Sequence, residues 1–387
     1  MKKSLIVLFL VLTVSVYAQE RVLNYPEFSW DRIPQYIHIR KAEAFTNEEC
    51  QFLASFPLIT LEKTTGSATY GSTDRGSIKA AKSIKAINPN VKILYYRNVI
   101  CHYGGNTFDK ELKKLQSPFL TNNKNGKGKL IRGTVEAYDL SNKELRDWWI
   151  RSAAKICNSD YIDGLFLDGN IKVLVPGFLL KEIGVDKKAK VKYGYLTMMA
   201  AMREALNPQK LMVANIIRAR LPESGLEYIK YFDGSYLEGF TSPVDLSYPD
   251  YLAKGIEAVQ QAARNGKIIT MNFGLGKSIN TVDKIDDTRS KLENLKGVQD
   301  LLNYYMSIFL VCAEKYSYLN INDGYSVNTK HGVCDSKVWL HRFPDFDKPL
   351  GAPKGPAVKV GYTYTREFEH ASVWLDIESK KGRVTWH

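Results

Sequence analysis

The segment Tyr161-Ile162-Asp163-Gly164-Leu165-Phe166-Leu167-Asp168-Gly169-Asn170 carries the clearest structural pattern in the chain. An Asp-Gly pair leads into three consecutive apolar residues, which are followed by a second carboxylate and a second glycine. Unbroken apolar runs of this kind are typical of parallel strands that are covered on both faces. We therefore predict a buried parallel strand over 162–167, with Asp168 just past its carboxyl end.

Similar short runs occur on both sides of this segment, and helical patterns separate most of them. The eight predicted strands are 35–40, 58–62, 91–96, 162–167, 211–216, 235–237, 268–272 and 318–321. The predicted helices are 47–55, 77–87, 143–157, 195–205, 251–264 and 292–315, with a short helix at 225–231. Alternating strands and helices predict a parallel sheet.

Eight such units over this length are typical of a (β/α)₈ TIM barrel, which is the predicted α/β fold. The alternative is an open, doubly wound sheet, which usually carries a glycine-rich first turn for a nucleotide. The first turn here, at 40–46, contains no glycine. The barrel is therefore the favoured interpretation.

Two segments lie outside this alternation. The connection at 101–140 is far longer than an ordinary loop and has a basic tip at 122–129. Loops of this length are often functional. After Tyr325 the pattern changes to short β-like runs, with a hairpin turn near 379–382. We predict a catalytic barrel over 19–330 and a short β-rich C-terminal extension over 331–387 that packs on the barrel.

The first residues resemble a secretory signal peptide. Lys2 and Lys3 precede an apolar run at 4–16 that is too short to span a bilayer, and Val16-Tyr17-Ala18 has the small-residue spacing of a cleavage site. We predict a signal peptide over 1–18 and an exported protein, periplasmic or extracellular. No later run is long and apolar enough to cross a membrane, so no membrane span is expected in the mature chain.

The formal net charge is +13. A basic chain can bind nucleic acid, but no nucleic-acid motif accompanies the charge, and export argues against that partner. Plain solubility accounts for the charge, and so does attraction to an acidic polysaccharide or an anionic surface. The expected partner is therefore a carbohydrate substrate, which includes acidic carbohydrates. Nucleic acid is not expected as a partner.

The sequence predicts no metal and no cofactor. The five cysteines lack the paired spacing of a zinc site, and free buried thiols are the favoured state, with one or two disulfides left open. The six histidines also lack metal-ligand spacing. Gly276-Lys277-Ser278 resembles the end of a phosphate-binding loop, but Met271 stands where its first glycine belongs.

Two carboxylates follow predicted strands at the end where barrel enzymes place their chemistry. Asp168 ends strand four and Glu238 ends strand six, and each is followed by a glycine that lets the backbone turn. Glycosidic cleavage needs two carboxyl groups on either side of one bond. We predict Asp168 and Glu238 as the catalytic pair. The alternative roles are a turn Asp that caps the next element and a loop Glu in a salt bridge.

Other polar residues gather at the same predicted face and form the candidate substrate-binding set. They are Glu62, Tyr96, Arg97, Asn98, Asn170, Asn215, Asn272 and Asp323, of which Glu62 and Asp323 are also reserve catalytic candidates. Asp163 and Asp233 each precede a glycine at the start of a strand, which is the opposite end of the barrel. We interpret both as structural turns.

The segment from Asp163 to Asp168 resembles a signature strand of the glycosyl hydrolase barrels related to the endo-α-1,4-polygalactosaminidase group. The segment from Asp233 to Glu238 resembles their second signature, an Asp-Gly strand that ends in Glu. Shorter similarities lie at 138–149, 350–355 and 364–368. The resemblance implies catalytic roles for Asp168 and Glu238 and is silent about the sugar.

The leading hypothesis is an exported glycoside hydrolase that cleaves a polysaccharide or oligosaccharide. Glu238 would be the general acid and Asp168 the nucleophile or the base, with retention of anomeric configuration slightly favoured. One alternative is a catalytically silent carbohydrate-binding barrel. Another is a metal-dependent hydrolase that uses Asp168, Asp323 and Glu62.

Overall fold

The computed structural model describes residues 24–274, 291–322, 327, 339–340 and 342–387. Eight strands form one sheet in chain order, and each pairs in parallel with the next. They are β1 Ile37–Ile39, β2 Leu58–Leu61, β3 Lys92–Asn98, β4 Gly164–Asp168, β5 Leu211–Asn215, β6 Gly234–Leu237, β7 Ile268–Gly274 and β8 Ser317–Asn322.

The sheet closes on itself between its first and last strands. The backbone N–H of Tyr36 donates to the carbonyl of Leu319 at 3.1 Å, and the N–H of Leu319 donates to the carbonyl of Pro34 at 2.8 Å. The parallel bridge between Gln35 and Leu319 belongs to the same contact. The TIM-barrel prediction and all eight predicted strands are confirmed, and the open sheet is wrong.

Helices connect most of the consecutive strands and lie outside the barrel. They are α1 Asn47–Leu53, α2 Ser67–Tyr70, α3 Thr73–Ile87, α4 Lys143–Cys157, α5 Asn170–Leu174, α6 Leu180–Ile183, α7 Val185–Ala205, α8 Tyr248–Arg264 and α9 Lys291–Cys312. The largest difference from the predicted boundaries is α7, which begins at Val185 instead of 195. Its first turns contain four lysines and one alanine, which favour a helix by propensity without the apolar spacing that the prediction relied on.

Alternate residues of each strand face the barrel interior or the helices. On β3, Leu94 and Tyr96 point inward, while Ile93 and Tyr95 pack toward the helices. The interior is filled by large side chains, namely Tyr36, Leu58, Leu94, Tyr96, Phe166, Leu211, Val213, Tyr236, Ile268 and Tyr318. A filled interior leaves space for a ligand only at an end of the barrel.

The two Asp-Gly pairs hold the strands together at the amino-terminal end, so their structural interpretation is confirmed. Asp163 accepts a hydrogen bond from the backbone N–H of Ile93 at 2.8 Å, and Asp233 accepts one from Met212 at 2.8 Å. Each carboxylate thus holds the first part of a neighbouring strand. Lys85 and Arg203 neutralise the two charges.

The extension is a four-stranded antiparallel sheet of β9 Val358–Val360, β10 Thr363–Glu367, β11 Ala371–Asp376 and β12 Lys381–Trp386. It packs on α9. Arg366 donates to the carbonyl of Leu310 at 3.0 Å and pairs with Glu314 at 2.9 Å, and Gly382 lies directly against Ser307. The predicted signal peptide and the predicted boundary at 330 fall outside the described residues. None of the helices that the structure describes is long and apolar enough to span a membrane.

We predict that Gly234→Ala lowers stability far more than Gly177→Ala. A Cβ at 234 would lie 2.2 Å from the carbonyl oxygen of Ile268, while a Cβ at 177 would meet nothing within 4 Å. Forced overpacking costs about 1–3 kcal/mol. Denaturant unfolding of both variants measures the difference, and equal stabilities would contradict the close approach of β6 and β7.

Candidate active site

A cavity opens at the carboxyl ends of the barrel strands, where both predicted catalytic carboxylates meet. Its volume is about 230 Å³, several times the ~30 Å³ of one water molecule, so it has room for part of a sugar. The cavity is lined by His38, Arg40, Glu62, Lys63, Tyr96, Tyr103, Arg132, Phe166, Asp168, Ile171, Lys172, Asn215, Tyr236 and Glu238.

Asp168, the last residue of β4, is held by donors from both neighbouring strands. Its Oδ2 accepts from the hydroxyl of Tyr96 at 2.7 Å and from Nδ2 of Asn98 at 3.1 Å. Its Oδ1 accepts from Nδ2 of Asn215 at 3.2 Å. Three donors fix the orientation of the carboxylate at the bottom of the cavity.

Burial alone would raise the pKa of Asp168. The hydrogen bond from Tyr96 and the positive charges of Lys63 and Lys172 outweigh burial, so the pKa lies below its usual value. Burial, together with the Asp168 charge, raises the pKa of Tyr96 well above its usual value, so this hydroxyl remains a donor. Asp168 is therefore ionised at neutral pH.

Glu238 lies just past β6 and is the more exposed carboxylate, with 37% of its side chain accessible. Its Oε2 accepts from Nδ2 of Asn215 at 3.1 Å and from Nη2 of Arg218 at 3.2 Å. The same Arg218 nitrogen donates to Oδ1 of Asn215 at 2.9 Å, which orients the amide. Gly239 follows with a φ of +61°, a conformation that glycine adopts without strain.

One nitrogen atom of Asn215 thus connects the two carboxylates. The two bonded oxygens lie at most 6.3 Å apart, since their distances to that nitrogen are 3.2 and 3.1 Å. If each takes one amide hydrogen, the bonds diverge by about 120°, and the separation is about 5.5 Å. Retaining glycosidases hold their carboxyl groups about 5–5.5 Å apart, and inverting ones about 6.5–9.5 Å apart.

Aromatic rings form the floor beneath this pair. Phe166 stacks on Tyr96 with ring centroids 5.9 Å apart, and its edge contacts with His38 and Tyr236 have centroid distances of 5.0 and 5.2 Å. Burial, and then the charge of Lys63, lower the pKa of His38 to about 3. His38 is therefore neutral and belongs to the floor.

The third cavity carboxylate is Glu62, whose side chain is only 4% exposed. Burial raises its pKa, against the effect of Lys63, whose Nζ lies 2.6 Å from Oε1 of Glu62. Lys63 in turn lies over the rings of Tyr96 and Tyr103, at 5.2 and 5.3 Å from their centroids. Glu62 therefore fixes a lysine in the cavity wall.

Two of the predicted asparagines support the site from behind. Asn98 accepts from the backbone N–H groups of Ile100 and Cys101 while it donates to Asp168. Asn170 is fully buried and donates to the carbonyls of Leu167 and Asn215, which ties the ends of β4 and β5 together. Both residues position the pair instead of lining the cavity.

The remaining predicted residues lie elsewhere. Arg97 points away from the cavity and stacks on Phe108 and Trp148, with its guanidinium carbon 4.6 and 5.5 Å from their ring centroids. Asn272 accepts from Asn320 at 2.9 Å on neighbouring strands and does not line the cavity. Asp323 lies outside the described residues.

Sequence reasoning missed Arg218 and several cationic residues of the wall. Arg218 lies three residues after β5, at the end of the barrel where ligands bind. A charged residue at that position could therefore have been predicted to lie near the site. Arg132 comes from the long connection at 101–140, so its place in the cavity depends on tertiary folding. The basic tip of that connection lies against α6 instead, where the backbone N–H of Asn123 donates to the backbone carbonyl of Glu182.

Within the described part of the chain, no three histidine, cysteine or carboxylate side chains gather closely enough to hold a metal ion. The set proposed for a metal-dependent hydrolase includes Asp323, which the structure does not describe. The four described cysteines, Cys50, Cys101, Cys157 and Cys312, are buried free thiols, as expected.

Residues 85–372 match the model of hypothetical glycosyl hydrolase family 15. The chain belongs to this family. The match contains both carboxylates and most of the barrel, and it makes the protein a glycoside hydrolase. No curated protein matches the chain.

Solved glycoside hydrolases have a similar fold at low sequence identity. The glycoside hydrolase domain of PelA from Pseudomonas aeruginosa is 12% identical, with a TM-score of 0.43 over 63% of this chain and 85% of that one. The maltogenic α-amylase AmyB from Thermotoga neapolitana is 12% identical, with a TM-score of 0.48 over 90% and 86%. A variant of the GH36 α-galactosidase AgaA from Geobacillus stearothermophilus is 10% identical, with a TM-score of 0.49 over 90% and 48%.

We predict that Tyr96→Phe moves the acid limb of the hydrolase's kcat/KM profile to higher pH by about one unit. The lost hydrogen bond stabilises ionised Asp168, so its removal raises that pKa, and a bond to a charged group contributes about 1.5–3 kcal/mol. Tyr95→Phe is the control, because its hydroxyl bonds to Asn106. An unchanged acid limb in Tyr96→Phe would show that Asp168 does not set it.

Proposed function

We propose that this hydrolase is exported and cleaves a polysaccharide or oligosaccharide with Asp168 as nucleophile and Glu238 as acid and base. The observation that carries the proposal is the Asn215 amide, which donates to both carboxylates and keeps them within reach of one glycosidic bond. The two facing oxygens lie at most 6.3 Å apart, which is compatible with the short carboxyl separation of retaining enzymes and supports retention.

Asp168 suits the nucleophile because it is ionised and held by three donors. In the first step, its carboxylate oxygen attacks the anomeric carbon while Glu238 gives its proton to the glycosidic oxygen, and the bond to the leaving sugar breaks. In the second step, Glu238 takes a proton from water, the water oxygen attacks the anomeric carbon, and Asp168 is released.

Glu238 suits the acid and base because it is the more exposed of the two and can exchange protons with solvent. Arg218 stabilises the carboxylate that forms when Glu238 gives up its proton, since its guanidinium lies 3.2 Å away. The aromatic rings of Tyr96, Phe166 and Tyr236 supply an apolar surface beneath the sugar.

We predict that Asp168→Asn and Glu238→Gln each lower turnover by about a thousandfold or more while the fold remains intact. Both changes keep the side-chain shape, and they remove the nucleophilic carboxylate of Asp168 and the ionisable proton of Glu238. The measurement is the release of new reducing ends from a panel of polysaccharides, with circular dichroism to check folding. Arg220→Gln is the control, because Arg220 is exposed and does not line the cavity.

Full activity in either folded variant would end the two-carboxylate mechanism. Tight binding of a glycan by the wild-type chain, with no new reducing ends after long incubation, would favour a silent carbohydrate-binding barrel. Activity abolished by a chelator and restored by a metal ion would favour a metal-dependent hydrolase.

The proposal of export rests on Lys2, Lys3 and the apolar run that follows them. We expect the protein that is isolated from its producing cells to begin at Gln19, because cleavage follows Val16-Tyr17-Ala18. Amino-terminal sequencing measures this directly. A mature protein that retains Lys2 and Lys3 would contradict cleavage at this site.

A further inference from the structure

The cavity wall carries more positive charge than its carboxylates require. Among the residues that the structure describes, four cationic ones line the cavity, namely Arg40, Lys63, Arg132 and Lys172, beside the three carboxylates Glu62, Asp168 and Glu238. Arg218 adds a fifth cation at hydrogen-bond distance from Glu238. With all these groups ionised, the site has an excess of positive charge, which attracts anions.

The three carboxylates already have their own donors. Lys63 pairs with Glu62 at 2.6 Å, Arg218 pairs with Glu238 at 3.2 Å, and Asp168 accepts from a hydroxyl and two amides. Among the described residues, Arg132 and Lys172 form no ion pair. Lys172 lies near Asp168 and over the ring of Phe178, but no carboxylate that the structure describes is in direct contact to neutralise either cation.

Both residues are held near the reacting pair by the backbone. Lys172 lies on α5, four residues after Asp168, and its charge contributes to the low pKa of that carboxyl group. Arg132 lies between the bridged residues Ile131 and Val135, at a φ of +55° that non-glycine residues adopt rarely. This tight turn aims the side chain of the long connection at the cavity.

A neutral sugar is recognised by amides, hydroxyls and aromatic rings, and it does not need two spare cations. A guanidinium group matches the planar or tetrahedral oxygens of carboxylate, sulfate and phosphate, and an ammonium group adds a point charge. The combination therefore indicates a negatively charged substituent on the sugar.

We propose that the substrate is an anionic glycan whose charged substituent binds Arg132 and Lys172 in the subsite next to the cleaved bond. This inference rests on the proposed function for the location of that bond. Uronate, sulfate and phosphate share the required chemistry, and a binding experiment distinguishes them.

The experiment measures binding to the Glu238→Gln variant, which is expected to hold glycans without cleaving them. The probes are matched pairs, namely uronate polymers with their carboxyl-reduced forms, sulfated polymers with their desulfated forms, and phosphorylated oligosaccharides with their dephosphorylated forms. We expect the charged member of one pair to bind about a hundredfold more tightly, as two charge-assisted contacts of about tenfold each would give.

Variants of the wall locate the effect. In the Glu238→Gln background, Lys172→Gln and Arg132→Gln should each reduce the charge preference about tenfold, and the double change should remove it. Lys127→Gln and Arg151→Gln are the controls, since both residues are exposed and neither lines the cavity. They should leave the preference unchanged.

The inference would be overturned by equal binding within every pair, by binding of neutral glycans only, or by no binding of any charged glycan. A charge preference that survives the double change would overturn it as well. The proposed hydrolysis is tested separately with the wild-type chain on the same polymers. Tight, wall-dependent binding without new reducing ends would contradict the hydrolysis and support the anionic subsite. Cleavage of neutral glycans alone would support the hydrolysis and contradict the anionic subsite.

Discussion

The geometry of the site depends on one amide group. Asn215, at the end of β5, donates to Asp168 on one side and to Glu238 on the other, and Arg218 holds its oxygen. Strand order explains why a residue of β5 lies between the carboxylates, because β5 separates the two strands that carry them. A third carboxylate in its place would repel both neighbours, whereas an amide brings two anions together at low electrostatic cost.

Different carboxylates stabilise the barrel and line the cavity, and the two sets lie at opposite ends of the barrel. At the amino-terminal end, Asp163 and Asp233 hold neighbouring strands by their backbone N–H groups. At the carboxyl end, the same two strands present Asp168 and Glu238. Each signature segment therefore contains one carboxylate for the fold and one for the cavity, and the filled interior between them keeps the two ends apart.

The barrel, its eight strands and the end of the barrel that carries the cavity were predictable, because apolar runs and glycine positions are local features of the sequence. The roles of the asparagines were only partly predictable. Asn215 joins the pair and Asn170 supports it from behind, yet both simply follow an apolar run in the sequence. Arg97 was expected at the ligand and instead stacks on Phe108, because alternation along β3 turns it toward the helices. Such distinctions depend on which face of a strand a residue occupies and on which distant loop covers it.

The central claim is that Asp168 attacks the sugar while Asn215 holds Glu238 beside it. The most direct test is to trap the covalent intermediate with an activated 2-deoxy-2-fluoro derivative of a sugar that the enzyme cleaves, and to map the labelled peptide by mass spectrometry. We expect one added sugar on Asp168 and no label on the Asp168→Asn variant. A label on Glu238, or a first-formed product of inverted configuration with no labelled peptide, would contradict it.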